Sequence, residues 1–286
     1  MNEFPTYNIL LLANVTYFKL LHICIKSIYA VCDMEKINKI FIADLGLYKN
    51  HLDILYNLGE KIDIINTKAN IGDSKKLFTK EWIDAVSKKT AILHMLIKNN
   101  CTPIIMLDSD TIVISDFSDV IDPNYDIQVC KRAIPLLRKD GILLEYIASF
   151  FIANNAKATT FTEKWIECLT QRINSTFMPP HETPAMIDTL KNNIDVRIGL
   201  LDENVISCEN NYIKGTTKVI HAKSRNKNDK VSLYRFANIK NLPYNQFICL
   251  LDNRIEKALF SILFIFKVIF PVYNFKMLIK KMLGKR

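Results

Sequence analysis

Glycine and proline are scarce in this chain, seven and nine among 286 residues. That scarcity excludes a collagen-like or low-complexity protein. No Gly/Ser-rich stretch marks a linker, and no internal repeat points to a solenoid or propeller. Cys-x-x-Cys is absent. The cysteines Cys24, Cys32, Cys101, Cys130, Cys168, Cys208 and Cys249 are odd in number and mostly lie in apolar stretches. That usage fits buried free thiols in a reducing compartment. The start, Met1-Asn2-Glu3-Phe4-Pro5, has no basic region, and the apolar run at 9–13 is short, so no signal peptide is expected. The glycosylation-like matches at Asn14 and Asn174 therefore carry little weight. Helix-turn-helix, zinc-finger and RNA-binding aromatic motifs are all missing, so the net charge of +9 is not read as a nucleic-acid footprint.

What is present is a hydrophobic content of 49%, enough for one large buried core. The first half alternates two kinds of apolar pattern. Strands are expected at 8–13, 40–43, 62–65 and 104–107. Helices are expected at 17–31, 50–58 (ending on a C-terminal capping glycine, Gly59) and 80–98, with a polar loop at 70–74. Strand-helix alternation of this kind predicts a three-layer α/β/α sandwich on a mixed, mostly parallel sheet. In the second half, strands are expected at 126–130, 147–153, 196–200, 205–208 and 218–221, and helices at 161–173 and 183–190.

Residues 104–114 read Ile-Ile-Met-Leu-Asp-Ser-Asp-Thr-Ile-Val-Ile. Asp108 and Asp110 follow an apolar run that reads as a buried parallel strand, and open α/β sheets place ligands at such strand ends. Two close carboxylates repel one another unless a cation joins them, and hard divalent ions such as Mg²⁺ or Mn²⁺ prefer oxygen ligands. Asp-Ser-Asp also suits a plain turn.

Two basic regions account for the charge. Lys214, Lys218, Lys223, Arg225, Lys227 and Lys230 flank His221, and Lys276, Lys280, Lys281, Lys285 and Arg286 crowd the end. Residues 258–275 are almost wholly apolar, interrupted by Lys267 and Pro271. The internal lysine and the basic end favour an amphipathic helix lying on an anionic membrane over one that spans it. The division expected is a catalytic domain at 1–250 and a membrane-association tail at 251–286.

Taken in order, the α/β half, the Asp-Ser-Asp run, Asp116-Phe117-Ser118-Asp119-Val120, the run 148–155, Lys164-Trp165 and Val219-Ile220-His221-Ala222-Lys223 resemble the nucleotide-sugar glycosyltransferases of the GT-A type, close to the family 8-like retaining enzymes. The resemblance implies a GT-A fold and a hexosyl donor carried on a nucleoside diphosphate. It implies Mn²⁺ or Mg²⁺ held by Asp108, Asp110 and His221. Ala13, Asn14 and Asp44 match the nucleotide-binding edge, and Asp108 matches a ribose or metal contact. Lys89 matches a basic residue facing the donor, though a helix lysine is equally often a solvated charge. Lys223 and Arg225 would meet the diphosphate. Glu182 and Asn154 are the candidate catalytic groups.

The sequence also departs from the family pattern. No glycine follows Asn154-Asn155, His181-Glu182-Thr183 stands where an Asp-Gln pair often faces the sugar, and the Gly and Pro-Trp that commonly follow the late histidine are missing. The expected partners are a nucleotide sugar, a glycan or lipid-linked acceptor and an anionic membrane, with the enzyme attached peripherally to the cytoplasmic face of the cell membrane. Two alternatives stay open on the residues alone. One is a haloacid-dehalogenase-type phosphatase with Asp108 as nucleophile. The other is a non-enzymatic peripheral membrane protein.

Overall fold

β1 (Tyr7–Ala13) is buried along almost its whole length. Ile9, Leu11 and Ala13 enter one apolar cluster and Leu10 the other. A strand covered on both faces must lie inside a layered sandwich. The computed structural model describes residues 6–69, 79–138, 141–175, 177–178, 180–192, 194–207 and 216–221. The expected loop at 70–74, Cys208, Lys223, Arg225 and the tail at 251–286 lie outside the described residues.

After β1 come α1 (Phe18–Val31), β2 (Ile37–Asp44), α2 (Lys49–Tyr56), β3 (Ile62–Asn66), α3 (Lys80–Lys98) and β4 (Ile104–Leu107). β5 (Thr111–Val113), β6 (Ile127–Leu137), β7 (Leu143–Ala153), α4 (Ala158–Asn174), α5 (Glu182–Lys191), β8 (Ile198–Asp202), β9 (Ile206–Ser207) and β10 (Val219–His221) follow. The main sheet has seven strands in the order β3-β2-β1-β4-β7-β6-β8. β7 is antiparallel to both of its neighbours, and the other pairings are parallel. The expected α/β fold on a mostly parallel sheet is the one observed. Leu21, Cys24, Ile25 and Ile28 of α1 and Leu55 of α2 pack on one sheet face. α3, α4 and α5 cover the other with Leu93, Ile97, Phe161, Trp165, Cys168 and Met186. Trp165 is fully buried, with ring centroids 5.4 Å from Phe151 and 5.9 Å from Phe161. Each such aromatic contributes about 2–3 kcal/mol through burial.

Local chemistry sets the helix starts. Thr79 Oγ1 accepts the Trp82 N–H at 3.3 Å, and His181 Nδ1 accepts the Thr183 N–H at 3.1 Å. Gly59 proves not to be a left-handed helix cap: α2 stops two residues earlier, at an Asn57 with right-handed φ and ψ. The absence of a side chain at Gly59 matters through close approach instead: a Cβ would lie 2.2 Å from the Tyr29 hydroxyl, so any other residue would have to displace that ring.

The far edge of the main sheet is held by Asp126, whose side chain is 1% exposed. It accepts from Arg197 Nη2 at 2.8 Å, Arg197 N–H at 2.7 Å and Asn155 Nδ2 at 2.9 Å. The Arg197 guanidinium, more than offsetting the effect of burial, holds this carboxyl well below the usual aspartate range, helped by the Arg197 N–H and Asn155. A depressed folded-state pKa stabilises above the ordinary aspartate pKa and loses that contribution as pH falls towards the folded value. Asp126→Asn is therefore expected to cost roughly 2–3 kcal/mol at pH 7. In urea titrations the gap from the parent should narrow progressively below about pH 4. A gap that does not change with pH would mean that Asp126 acts by shape alone.

Candidate active site

β2 and β3 lie on one side of β1 and β4 lies on the other, so the C-terminal ends of β1 and β4 border the crevice where such sheets bind ligands. Asp108, Ser109 and Asp110 form the turn from β4 into β5, and three bonds pin it. Ser109 Oγ donates to the Leu12 carbonyl, Thr111 Oγ1 donates to the Asp108 carbonyl at 2.7 Å, and the Asp108 N–H donates to the Ser149 carbonyl at 3.2 Å. The middle serine thus ties the motif to β1 while the two aspartates beside it carry the carboxylates.

His221 reaches this turn from 111 residues downstream. β10 runs antiparallel to β5 and sets His221 opposite Thr111, in a second sheet ordered β5-β10-β9. The buried His221 Nε2 lies 2.9 Å from Asp110 Oδ1 and 3.6 Å from Asp108 Oδ2. One ligand atom from each of the three residues lies within 4.8 Å of the others. Two carboxylate oxygens and an imidazole nitrogen form a donor set that suits Mn²⁺ or Mg²⁺.

Lys89 is not a solvated helix charge. It is buried at the middle of α3, where its ammonium hydrogen-bonds Asp108 Oδ1 and lies 3.2 Å from Glu182 Oε1. Burial alone would lower its pKa. The two carboxylates outweigh burial and hold it above the ordinary lysine value. Glu182 opens α5, and its carbonyl accepts the Trp165 indole N–H at 3.0 Å. Three carboxylates against one ammonium leave a formal charge of −2 at this edge when His221 is neutral.

The strand ends beside it hold the other expected residues. Ala13 and Asp44 are paired across β1 and β2. Asn14 Oδ1 accepts the Tyr17 N–H at 3.2 Å, at the start of α1. Asp44 Oδ1 accepts from the Gly46 and Leu47 N–H groups at 2.8 and 2.6 Å, shaping a turn in which Gly46 has φ 107°. Asp108, Asp110, His221, Lys89 and Glu182 thus come together, with Ala13, Asn14 and Asp44 along the same edge.

Asn154 does not join them. The register pairs Ile104 with Ala153, so the end of β7 lies at the start of β4, at the opposite edge of the sheet. There Asn154 Nδ2 donates to the Asp122 carbonyl and to Gln128 Oε1, each at 3.0 Å. Its expected catalytic role is corrected to a structural one. Sequence reasoning missed the pin made by Ser109 and the small sheet that delivers His221. The strands expected at 205–208 and 218–221 and the apolar run after Asp110 signalled its members, but not that they pair.

A mostly parallel sheet with a diacidic turn and a late histidine at its ligand-binding edge is an arrangement suited to a phosphate-bearing ligand. The chain belongs to the nucleotide-diphospho-sugar transferase family, whose pattern matches residues 47–233. It is a glycosyltransferase of the GT-A type, and the phosphatase and non-enzymatic alternatives fall away. Among solved structures it is similar to the galactosyltransferase LgtC, determined with donor and acceptor sugar analogues (TM-score 0.56, 14% identity, covering 88% of this chain and 99% of that one). It also resembles mouse xyloside xylosyltransferase 1 (TM-score 0.51, 13% identity, 76% and 97%). The bifunctional glycosyltransferase WbbM matches with a TM-score of 0.55 and 13% identity over 90% of this chain, which spans about half of WbbM, 51%. No curated protein sequence matches this one.

Proposed function

We propose that this chain is a metal-dependent, retaining hexosyltransferase that moves a sugar from a nucleoside-diphosphate donor to a hydroxyl of a glycan or lipid-linked acceptor. The observation that carries the metal dependence is the formal charge of −2 around Asp108, Asp110 and His221, which a divalent cation neutralises. Asp108, Asp110 and His221 would hold the ion, which when bound supplies Lewis-acid stabilisation of the diphosphate. Ala13, Asn14 and Asp44 border the nucleoside. Lys223 and Arg225 are assigned to the diphosphate by their place after His221. Glu182, held by Lys89, is assigned to the sugar, where a carboxylate stabilises positive charge developing at the anomeric carbon.

In the retaining reaction the bond from the anomeric carbon to the phosphate oxygen breaks. The acceptor oxygen bonds to the same face of that carbon, and the acceptor proton passes to the departing phosphate. The catalytic unit is assigned to 1–250 and membrane attachment at the cytoplasmic face to the apolar-basic segment 251–286. Among the described residues no helix is long and apolar enough to cross a membrane.

A thermal-shift panel of nucleoside diphosphates and nucleotide sugars, with and without Mn²⁺, tests the reading, because a ligand of the folded state raises apparent stability. His221→Ala should lose the Mn²⁺-dependent part of the shift and keep the response to bare nucleoside. Equal loss of both responses would make the histidine structural only.

A further inference from the structure

The donor edge also carries an apolar rim. Because β7 is antiparallel to β4 and to β6, β6 runs in the direction of β4, and the β6–β7 turn projects from the edge that holds Asp108. Ile134, Leu136, Leu137 and Leu143 are exposed on this hairpin. The ladder slips between Lys131, paired with Tyr146, and Leu136, paired with Leu144, so residues 132–135 stand opposite Glu145 alone. This bulge pushes out Ile134, which is 81% exposed. The turn is closed by Arg138 N–H on the Ile142 carbonyl at 2.8 Å and Gly141 N–H on the Arg138 carbonyl at 3.0 Å. A second segment, the loop that leads from α4 into Glu182, exposes Phe177 and Met178. Ser175 Oγ accepts both of their N–H groups, at 3.1 and 3.2 Å, and holds Phe177 95% exposed.

We propose that this rim, hairpin and loop together, inserts into the interfacial zone of an anionic lipid bilayer and turns the donor edge towards the membrane. Charge selects this occupant. The hairpin sequence 131–145 carries four basic residues against two acidic ones. Lys131 is exposed among the apolar side chains, Arg132 is buried beneath them, and the acid Glu145 is paired with Lys191 at 3.1 Å. Anionic lipid complements these cations. A second copy of the chain would set them against themselves. The segment 251–286 carries its own lysines and would be repelled as well. A two-stranded tip has open backbone edges, which restricts it to interfacial depth. The consequence rests on the glycosyltransferase reading: an acceptor anchored in the same bilayer meets the donor edge directly, and soluble acceptors do not benefit. The binding itself does not depend on that reading.

The test is co-sedimentation of the full chain with phosphatidylcholine vesicles and with mixed phosphatidylcholine–phosphatidylglycerol vesicles. Ile134→Asp with Leu137→Asp should lower partitioning to the mixed vesicles about tenfold or more, both with the five terminal cations intact and with all five changed to Gln. Donor hydrolysis without vesicles should stay unchanged. If that variant fails to fold, Ile134→Trp provides an independent reading: lipids brominated near the head group should quench its fluorescence beyond that of the parent. Unchanged partitioning, no added quenching, or self-association that shields the hairpin without lipid would each overturn the proposal. Vesicle binding with no response to any nucleotide sugar would sink the donor reading and leave the rim standing.

Discussion

Asp110→Ala is expected to abolish sugar transfer while the protein stays folded. Asp110 stands in a turn at the sheet edge, so the substitution opens no cavity in either apolar cluster. It removes the carboxylate 2.9 Å from His221 and one of the three groups available to a cation. Lewis-acid stabilisation of a leaving diphosphate is worth several kcal/mol, which corresponds to a rate loss on the order of 10³-fold. Steady-state transfer at saturating Mn²⁺ measures the loss, and thermal unfolding without ligand checks the fold. Transfer at the parental rate with the parental Mn²⁺ dependence would dismiss the metal site. Asp108→Asn separates the enzyme classes from another side. The parent should never accumulate a phosphorylated Asp108, because transfer needs no aspartyl phosphate.

Lys89→Met is expected to have the largest effect on stability. It leaves Asp108 and Glu182 without the ammonium they share, 3.2 Å from Glu182 Oε1, and removing one partner of a buried ion pair costs roughly 3–5 kcal/mol. The folded-state pKa of Lys89 is raised, so its contribution is complete below the ordinary lysine pKa and fades only as pH rises through the folded value. The defect should therefore be fully visible at pH 7. Adding Glu182→Gln should recover much of the lost stability by removing the stranded charge, and it should not recover transfer. Urea unfolding of the two single variants and the double variant measures this coupling. A Lys89→Met protein as stable as the parent would show that water already solvates the three groups.

The sequence reveals this site by two routes, local chemistry and family resemblance. The run 104–107 must be buried, so Asp108 must stand at a strand end. Helical spacing predicts the helix at 80–98, but only the resemblance sets Lys89 and His221 beside the donor. Strand direction is not a local property. β7 reads as a strand under either orientation, and only its antiparallel pairing with β4 shows that Asn154 ends at the opposite edge. The expected strands at 126–130 and 147–153 stop short of the hairpin tip for a related reason. The register slip takes residues 132–135 out of the ladder, and Leu136 and Leu137 rejoin it opposite Leu144 and Leu143. Three residues, Thr111–Val113, are too few to show periodicity, so the small sheet is seen only once Val219–His221 lies beside it.

That small sheet also bears on how the chain is made. β5 is an outer strand, and its ladder partner is β10. On a ribosome adding about 5–20 residues per second, the hundred or so residues between them take roughly 5–20 s to appear. Through that interval a freshly made β-edge waits beside the nascent core, the kind of surface that recruits wrong partners. Two features limit the exposure. The strand is only three residues long. In addition, α1 has already been synthesised, and Ser27 Oγ accepts the Val113 N–H at 2.9 Å while Cys24 Sγ contacts Thr111 Oγ1 at 3.5 Å. The first described helix thus caps the edge of β5 turned away from β10, since the next N–H, that of Ile114, donates to the Lys218 carbonyl, and only the edge that β10 later fills stays open.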